Sequence, residues 1–152
     1  MADSLREQIM QALVTDLTGL ATTGSSVTRD QAYNLNDSDL PHISIFQGDD
    51  IALNPDGDEG NTFTRMDMTL NVRVEIRVNG NSNDFISQIN QIHKEIVIAL
   101  QAGSVHSIGQ VLFVSEISSS APDIDTAGDK RLAQSDIDFE IHYRRLKADP
   151  SQ

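Results

Sequence analysis

Residues 66–78 alternate strictly between apolar and polar side chains, and this alternation constrains the fold more than any other feature. The apolar positions are Met66, Met68, Leu70, Val72, Val74, Ile76 and Val78; the polar ones are Asp67, Thr69, Asn71, Arg73, Glu75 and Arg77. Successive side chains of a strand point to opposite faces, so the pattern predicts one long strand over residues 63–78 with one dry face. That face needs a cover, which favours a sheet with helices on one side.

Two amphipathic segments can supply this cover. Ser4 and Glu7 have the spacing of a capping box and predict a helix over residues 5–20. A second helix follows Asn83 or Asp84 and ends near Gly103. The apolar residues at helical spacing are Leu5, Ile9, Leu13, Leu17 and Leu20 in the first helix, and Phe85, Ile89, Ile92, Ile96 and Leu100 in the second.

Further strands are predicted over residues 27–33, 42–47 and 110–117, and a closing strand alternates through residues 136–144. The order of elements predicts a single α+β domain over residues 1–152. Its sheet is mixed, mainly antiparallel and of four to five strands, with two helices packed on one face. The polar end, residues 145–152, is expected to fray.

Two polar stretches are predicted as exposed loops, over residues 49–61 and 118–131. The first contains Asp49, Asp50, Asp56, Asp58 and Glu59, and the second contains Asp123, Asp125, Asp129, Lys130 and Arg131. Loops of a dozen or more residues are unusual in a compact domain and are typical of recognition or assembly surfaces.

Composition excludes several classes of function. The 152 residues have a net charge of -12, which repels nucleic-acid backbones and anionic lipids. The chain has no cysteine, which removes disulfides and thiolate chemistry. No stretch approaches the ~20 apolar residues of a membrane span, and the first ten residues lack a signal-peptide pattern, so we expect no membrane partner and no export.

No catalytic, metal or cofactor site is indicated. The four histidines, His42, His93, His106 and His142, fall in separate elements. Residues 54–59 have the odd acidic spacing of a calcium loop, but Glu59 replaces the turn glycine and Arg65 replaces the bidentate glutamate. Asp129 and Lys130 are adjacent, whereas a nuclease core separates its acid and lysine by one residue. There is no glycine-rich phosphate loop and no nucleophile elbow, and we therefore expect no enzymatic activity.

Arg144, Arg145 and Lys147 form a basic cluster near the end of a very acidic chain. One interpretation is a solvated end that balances charge. The other is a head-to-tail contact in which this cluster meets the acidic first loop of a second copy, a geometry that can close into a ring. Phe63, Met66 and Met68 are expected in the core; alternatively, the long strand overhangs the domain and pairs with a neighbour.

The order of elements, with residues 39–46 (DLPHISIF) and 134–143 (QSDIDFEIHY), resembles the tail terminator proteins of long-tailed bacteriophages, of the lambda minor tail protein U type. The resemblance covers nearly the whole chain and implies a subunit of a hexameric ring at the head-proximal end of the tail tube. Such a ring stops tube polymerisation and prepares the tail for head joining. The implied partners are the chain itself, the tail tube protein and a head-completion or connector protein, with DNA as passing cargo.

The resemblance implies a virion location and transfers no catalytic residue. We hypothesise that the loop around Asp56 or the one around Asp123 contacts the tube, and that carboxylates line the DNA channel. Arg144 and Arg145 are candidate ring contacts. Two alternatives stay open: another neck or tail-completion protein, and an acidic inhibitor that mimics DNA.

Overall fold

The computed structural model describes residues 2–30, 39–53, 65–81, 83–125 and 131–152. These ranges contain two α-helices and six strands, and the α+β prediction is confirmed, with one strand more than the upper predicted number. In chain order they are α1 (Leu5–Leu17), β1 (Val27–Arg29), β2 (His42–Ala52), β3 (Arg65–Asn79), α2 (Phe85–Ala102), β4 (Val111–Ser119), β5 (Asp123–Asp125) and β6 (Leu132–Leu146). A 3₁₀ turn, Ser104–Ser107, follows α2.

The strands form one sheet in the order β1-β2-β3-β6-β4, and β5 continues beside β6 on the same side as β4. Among the described strands, only β1 runs parallel to a neighbour, which is β2. β3 and β6 pair along their whole length, from Arg65 opposite Leu146 to Asn79 opposite Leu132. The alternative in which the described part of the long strand overhangs the domain is therefore wrong.

The core lies between one face of the sheet, here called the inner face, and the two helices. The alternating apolar residues of β3 and β6 supply most of the sheet side, and all but Met66, which packs against the cluster partly buried, are fully buried. The helices contribute Leu5, Ile9, Met10, Leu13, Leu17, Ile89, Ile92, Ile96 and Leu100. Phe63 lies outside the described residues.

The first helix starts as predicted, because the Ser4 hydroxyl accepts a hydrogen bond from the Glu7 amide at 3.2 Å. It ends three residues earlier than predicted, at Leu17. Thr18 is extended and Gly19 has a φ of 91°, a conformation that a glycine adopts without strain. Leu20 consequently lies in a tight loop rather than on the helix.

The loop predicted over residues 49–61 is wrong at its start, because β2 continues through Ala52. A bulge at residues 48 and 49, opposite Asn71, shifts the register by one residue and lets pairing with β3 resume at Asp50. Asp49 and Asp50 are therefore strand residues, and Leu53 still donates its amide to the Asp67 carbonyl. Asp56, Asp58 and Glu59 lie outside the described residues.

The loop predicted over residues 118–131 is also partly wrong. β4 extends to Ser119, and β5 pairs Asp123 with Gln134. Between them, the Ser120 amide donates to the Asp136 carbonyl at 2.8 Å. Backbone pairing with β6, together with hydrogen bonds of Ser120 to Ser135 and Asp136, therefore holds this mainly polar stretch in place. Lys130 lies outside the described residues, while Arg131 is exposed just before β6.

The end of the chain, where fraying is predicted, lies against α1. Arg145 and Leu146 belong to β6. The Pro150 carbonyl accepts the Leu5 amide at 2.7 Å, so the tail closes the start of α1. None of the described helices combines the length and hydropathy needed to cross a membrane.

Candidate assembly surfaces

The face of the sheet opposite the helices, here called the outer face, is a ladder of alternating charge. Asp67 and Arg144 face each other across β3 and β6 at 2.6 Å, and Arg73 and Asp138 do so at 2.9 Å. These partners raise the pKa of both Arg73 and Arg144. Most of this charge is thus compensated within the chain, and exposed pairs of this kind contribute little to stability.

A groove of about 630 Å³ crosses the middle of the outer face between Phe46 and Ile117. Arg73, Asp138 and Glu140 lie along it. Among the described residues that line the groove, the one cation is Arg73, and its bond to Asp138 leaves them no free cation for an anionic ligand. Within the described ranges, no three acidic, histidine or cysteine side chains come together in a way that could hold a metal ion.

The predicted contact residues lie at three positions along the sheet. Arg144 and Arg145 lie at the end where β6 finishes, and Asp123, Asp125 and Arg131 lie at the end where β6 begins. Asp49 and Asp50 lie nearer the middle, level with Glu140 and Ile141 of β6. Asp56, Asp58, Glu59 and Lys130 fall outside the described part of the chain.

Asp50 takes a structural position that its charge does not predict. The register shift turns it to the inner face, where the Tyr143 hydroxyl donates to its Oδ2 at 2.7 Å and Arg6 lies 3.8 Å away. Burial and the bond to Asp50 raise the pKa of Tyr143 well above its usual range. Asp50 is thus used inside the subunit, and Asp49, which is exposed, is the acid of this pair available to a partner.

Arg144 and Arg145 also differ in their surroundings. Arg144 is held by Asp67, whereas Arg145 bonds to the carbonyls of Leu146 and Lys147 and makes no ion pair with a described carboxylate. Arg65, Arg144 and Arg145 line a recess of about 310 Å³ beside Leu112, at the start of β4. Arg144 and Arg145 of the predicted basic cluster therefore border β4 together with Arg65, whereas Lys147 is not among the residues that line this recess.

The margins of the sheet carry exposed apolar side chains that the sequence prediction missed. Phe113 and Ile117 on β4 are 49% and 54% exposed, and Ile51 on β2 is 50% exposed. The run Val111–Val114, apolar at four successive positions, was the available signal, because a strand with one wet face alternates. Phe113 stacks on His142 with ring centroids 4.2 Å apart, which turns it to the outer face.

At the β1 margin, by contrast, polar groups are buried and satisfied. His42 lies 2.8 Å from the Ser26 hydroxyl and 2.9 Å from the Thr28 hydroxyl, and its burial lowers its pKa. Arg29 makes two bonds to Glu7 on α1, at 2.7 and 2.8 Å, and this partner lowers the pKa of Glu7. Arg29 therefore ties β1 to α1, while His42 joins β2 to Ser26 and Thr28 at the same margin.

No protein-family model matches the chain, and no curated protein matches it. Among solved structures, it is similar to a chain of one described as "Virion of native gene transfer agent (GTA) particle". The TM-score is 0.59, the identity is 14%, and the similarity covers 93% of this chain and 96% of that chain. At this identity, the likeness shows a shared fold.

Proposed function

We propose that this chain is a structural protein of a phage-type virion that closes the head-proximal end of the tail tube as a ring. The observation that carries the proposal is the similarity to a chain from a gene transfer agent virion over nearly all of both chains. The likeness of fold thus extends over nearly the whole of both chains rather than over a small common motif. The terminator role comes from the order of elements and the resemblance of residues 39–46 and 134–143.

In this role the chain stops tube growth, prepares the tail for head joining, and sits in the virion neck with no enzymatic activity. Its partners are further copies of itself, six in the ring that the resemblance implies, the tail tube protein and a head-completion or connector protein. DNA passes through the ring without being read, in keeping with a net charge of -12.

The outer face argues against the alternative of a DNA mimic. A mimic needs rows of uncompensated carboxylates on a rigid surface. On the outer face of β3 and β6, Asp67 and Asp138 are bonded to arginines. In the described part of this face, cations therefore interrupt the row of carboxylates, unlike the unbroken negative charge of a phosphate backbone.

The test is a stop codon early in the gene, within the genome that encodes the chain, followed by electron microscopy of the lysate. We expect full heads that are not joined to tails, and tails of excessive and variable length. Tails of normal length that fail to join would instead indicate the alternative of another neck protein. Normal joined particles would overturn the proposal, and expression of the wild-type chain from a plasmid is the control.

A second test asks which acidic segment meets the tube. One variant neutralises the first segment, with Asp56→Asn, Asp58→Asn and Glu59→Gln, and its matched control neutralises Asp123 and Asp125 to Asn. We expect one of the two variants to release overlong tails while the other controls tail length normally. Normal length control in both would remove these segments as tube contacts.

A further inference from the structure

β4 is an open margin of the sheet. On one side it pairs with β6, and on its other side no described strand pairs with it. A strand margin presents a row of unpaired backbone donors and acceptors, and such rows pair readily with another strand. Charged residues usually protect exposed margins, yet the outer face of β4 presents Phe113 and Ile117, both about half exposed.

The second half of β2 is open in the same way at the opposite margin. β1 covers only Ile43, Ser44 and Ile45. The carboxylate of Asp30 then accepts the Gln47 amide at 2.9 Å, and beyond it no described strand covers residues 48–53 on that side. Ile51 is 50% exposed on the outer face of this stretch.

The open stretches of β4 and β2 lie at the same position along the strand direction of the sheet. Phe113 is opposite His142, His142 is opposite Thr69, and Thr69 is opposite Ile51. These four residues form one row across the outer face, and the row ends in an exposed apolar side chain at each margin. In the next row, Ser115 is opposite Glu140, Glu140 is opposite Asn71, and Asn71 faces the bulge at Asp49.

The directions of the strands also agree. β2, β3, β6 and β4 are successively antiparallel, so β4 runs opposite to β2. If the sheet continues into a second copy of the same orientation, β4 of one copy meets β2 of the next as an antiparallel pair. Phe113 then lies beside Ile51 of the neighbour, a type of cross-strand pair that stabilises sheets.

We propose that β4 of one copy pairs with residues 48–53 of β2 in a second copy, making the sheet continuous between subunits. The inference rests on the proposed ring and names the two surfaces that would form it. The contact joins two different patches, so repetition closes into a ring when the rotation between subunits allows. A symmetric pair of β4 strands would instead stop at a dimer.

Charge supports a second copy as the occupant. Arg65 and Arg145, neither paired with a described carboxylate, border the start of β4. In the open half of β2, Asp49 is exposed and has no described ion-pair partner. The two margins therefore carry unpaired charges of opposite sign among the described residues, and this complementarity favours a second copy of the chain as the partner.

The experiment is disulfide cross-linking. Because the chain has no native cysteine, a disulfide can form only between introduced cysteines. Two single variants, Ser115→Cys and Asp49→Cys, are mixed and oxidised with magnesium present, both as purified chains and in particles that carry both variants. Paired strands hold the two thiols at an effective concentration near millimolar, so we expect cross-linking roughly a hundredfold faster than random collision at ~10 μM. The double variant should give a ladder of oligomers that ends in a closed ring.

The matched control replaces Asp49→Cys with Lys94→Cys, an exposed position on α2. A cross-linking rate equal to this control, in solution and in particles, would overturn the inference, as would faster pairing of Ser115→Cys with itself. Failure here is distinguishable from failure of the proposed function. If the stop-codon genome gives overlong tails but the cross-link does not form, the proposed function stands and the ring uses another interface. If the cross-link forms but tail length and joining are normal, the interface stands and the proposed function is wrong.

Discussion

The central strand pair and the margins of the sheet carry similar apolar side chains, but these side chains are buried at the centre and exposed at the margins. On β3, every second side chain is apolar and turns to the helices, and β6 follows the same pattern except at Ser135 and Arg145. From Met68 to Val78, the apolar side chains of β3 are buried. On β4 and the second half of β2, Phe113, Ile117 and Ile51 turn outward and stay about half exposed. The apolar surface at the centre is buried within one chain, whereas the exposed apolar side chains of the margins are typical of a protein–protein interface.

The largest loss in the free energy of unfolding is expected at the centre of the sheet, for Phe139→Ala. Phe139 is 1% exposed on β6, and truncation of a buried phenylalanine costs about 3–5 kcal/mol. Urea unfolding measures the loss. The neighbouring Asp138→Ala is the control, because its side chain points to the outer face and its ion pair with Arg73 is exposed, so we expect a loss below about 1 kcal/mol. Equal losses would break the distinction between the two faces.

Tyr143→Phe should have an intermediate effect. It removes the donor to Asp50 and leaves a partly buried carboxylate short of a partner, at a cost of about 1–3 kcal/mol. Because the pKa of Tyr143 is raised above its ordinary value of 10.0, the folded state holds this proton more tightly. The wild type should therefore lose stability as the pH rises above about 10, and the variant should lose less. Parallel curves of unfolding free energy against pH would contradict this role.

A smaller effect is expected at the β1 margin, where His42 is buried. Its pKa is lowered from an ordinary value of 6.5, so the unfolded chain takes up a proton more readily. The neutral ring of His42 contributes to the free energy of unfolding above pH 6.5. This contribution is lost as the pH falls from 6.5 through the pKa of His42 in the folded state, at up to about 1.4 kcal/mol per pH unit. His42→Asn should flatten the unfolding free energy between pH 6.5 and 5; an unchanged slope would show that other groups set it.

The smallest effect on stability is expected for Ile51→Ser, within about 0.5 kcal/mol, since the residue is half exposed. The same variant should slow the cross-linking between positions 115 and 49 several-fold, because it removes the side chain that pairs with Phe113 of the neighbour. Ile98→Ser is the matched control, because Ile98 is 58% exposed on α2 and away from both margins. If both variants cross-link equally well, the exposed apolar residues of the margins have no special role.

The central strands were predictable because each has one wet and one dry face. The pattern through Val78 fixed the inner face of β3, and Ile137 to Tyr143 did the same for β6. The length of β2 was underestimated, because Gly48, Asp49 and Asp50 have the composition of a loop. In the structure a bulge at residues 48 and 49 lets the strand continue to Ala52. No local pattern could place the carboxylate of Asp50 beside Tyr143, 93 residues away.

The candidate site was predicted only in part, for a related reason. Arg144 and Arg145 were identified by charge, and the structure adds that Asp67 engages Arg144 and that the cluster borders β4. The row from Phe113 to Ile51 joins four strands from distant parts of the sequence, so it exists only once the register is known. Ile51 in particular fell inside a predicted loop, where its face could not be assigned.

The most direct measurement is electron cryomicroscopy of particles made by the genome that encodes this chain. We predict a ring of this chain at the head-proximal end of the tail, with β4 of each copy hydrogen-bonded to β2 of the next. Particles that lack the chain, or a ring in which both margins face solvent, would contradict the central claim that neighbouring copies complete the sheet.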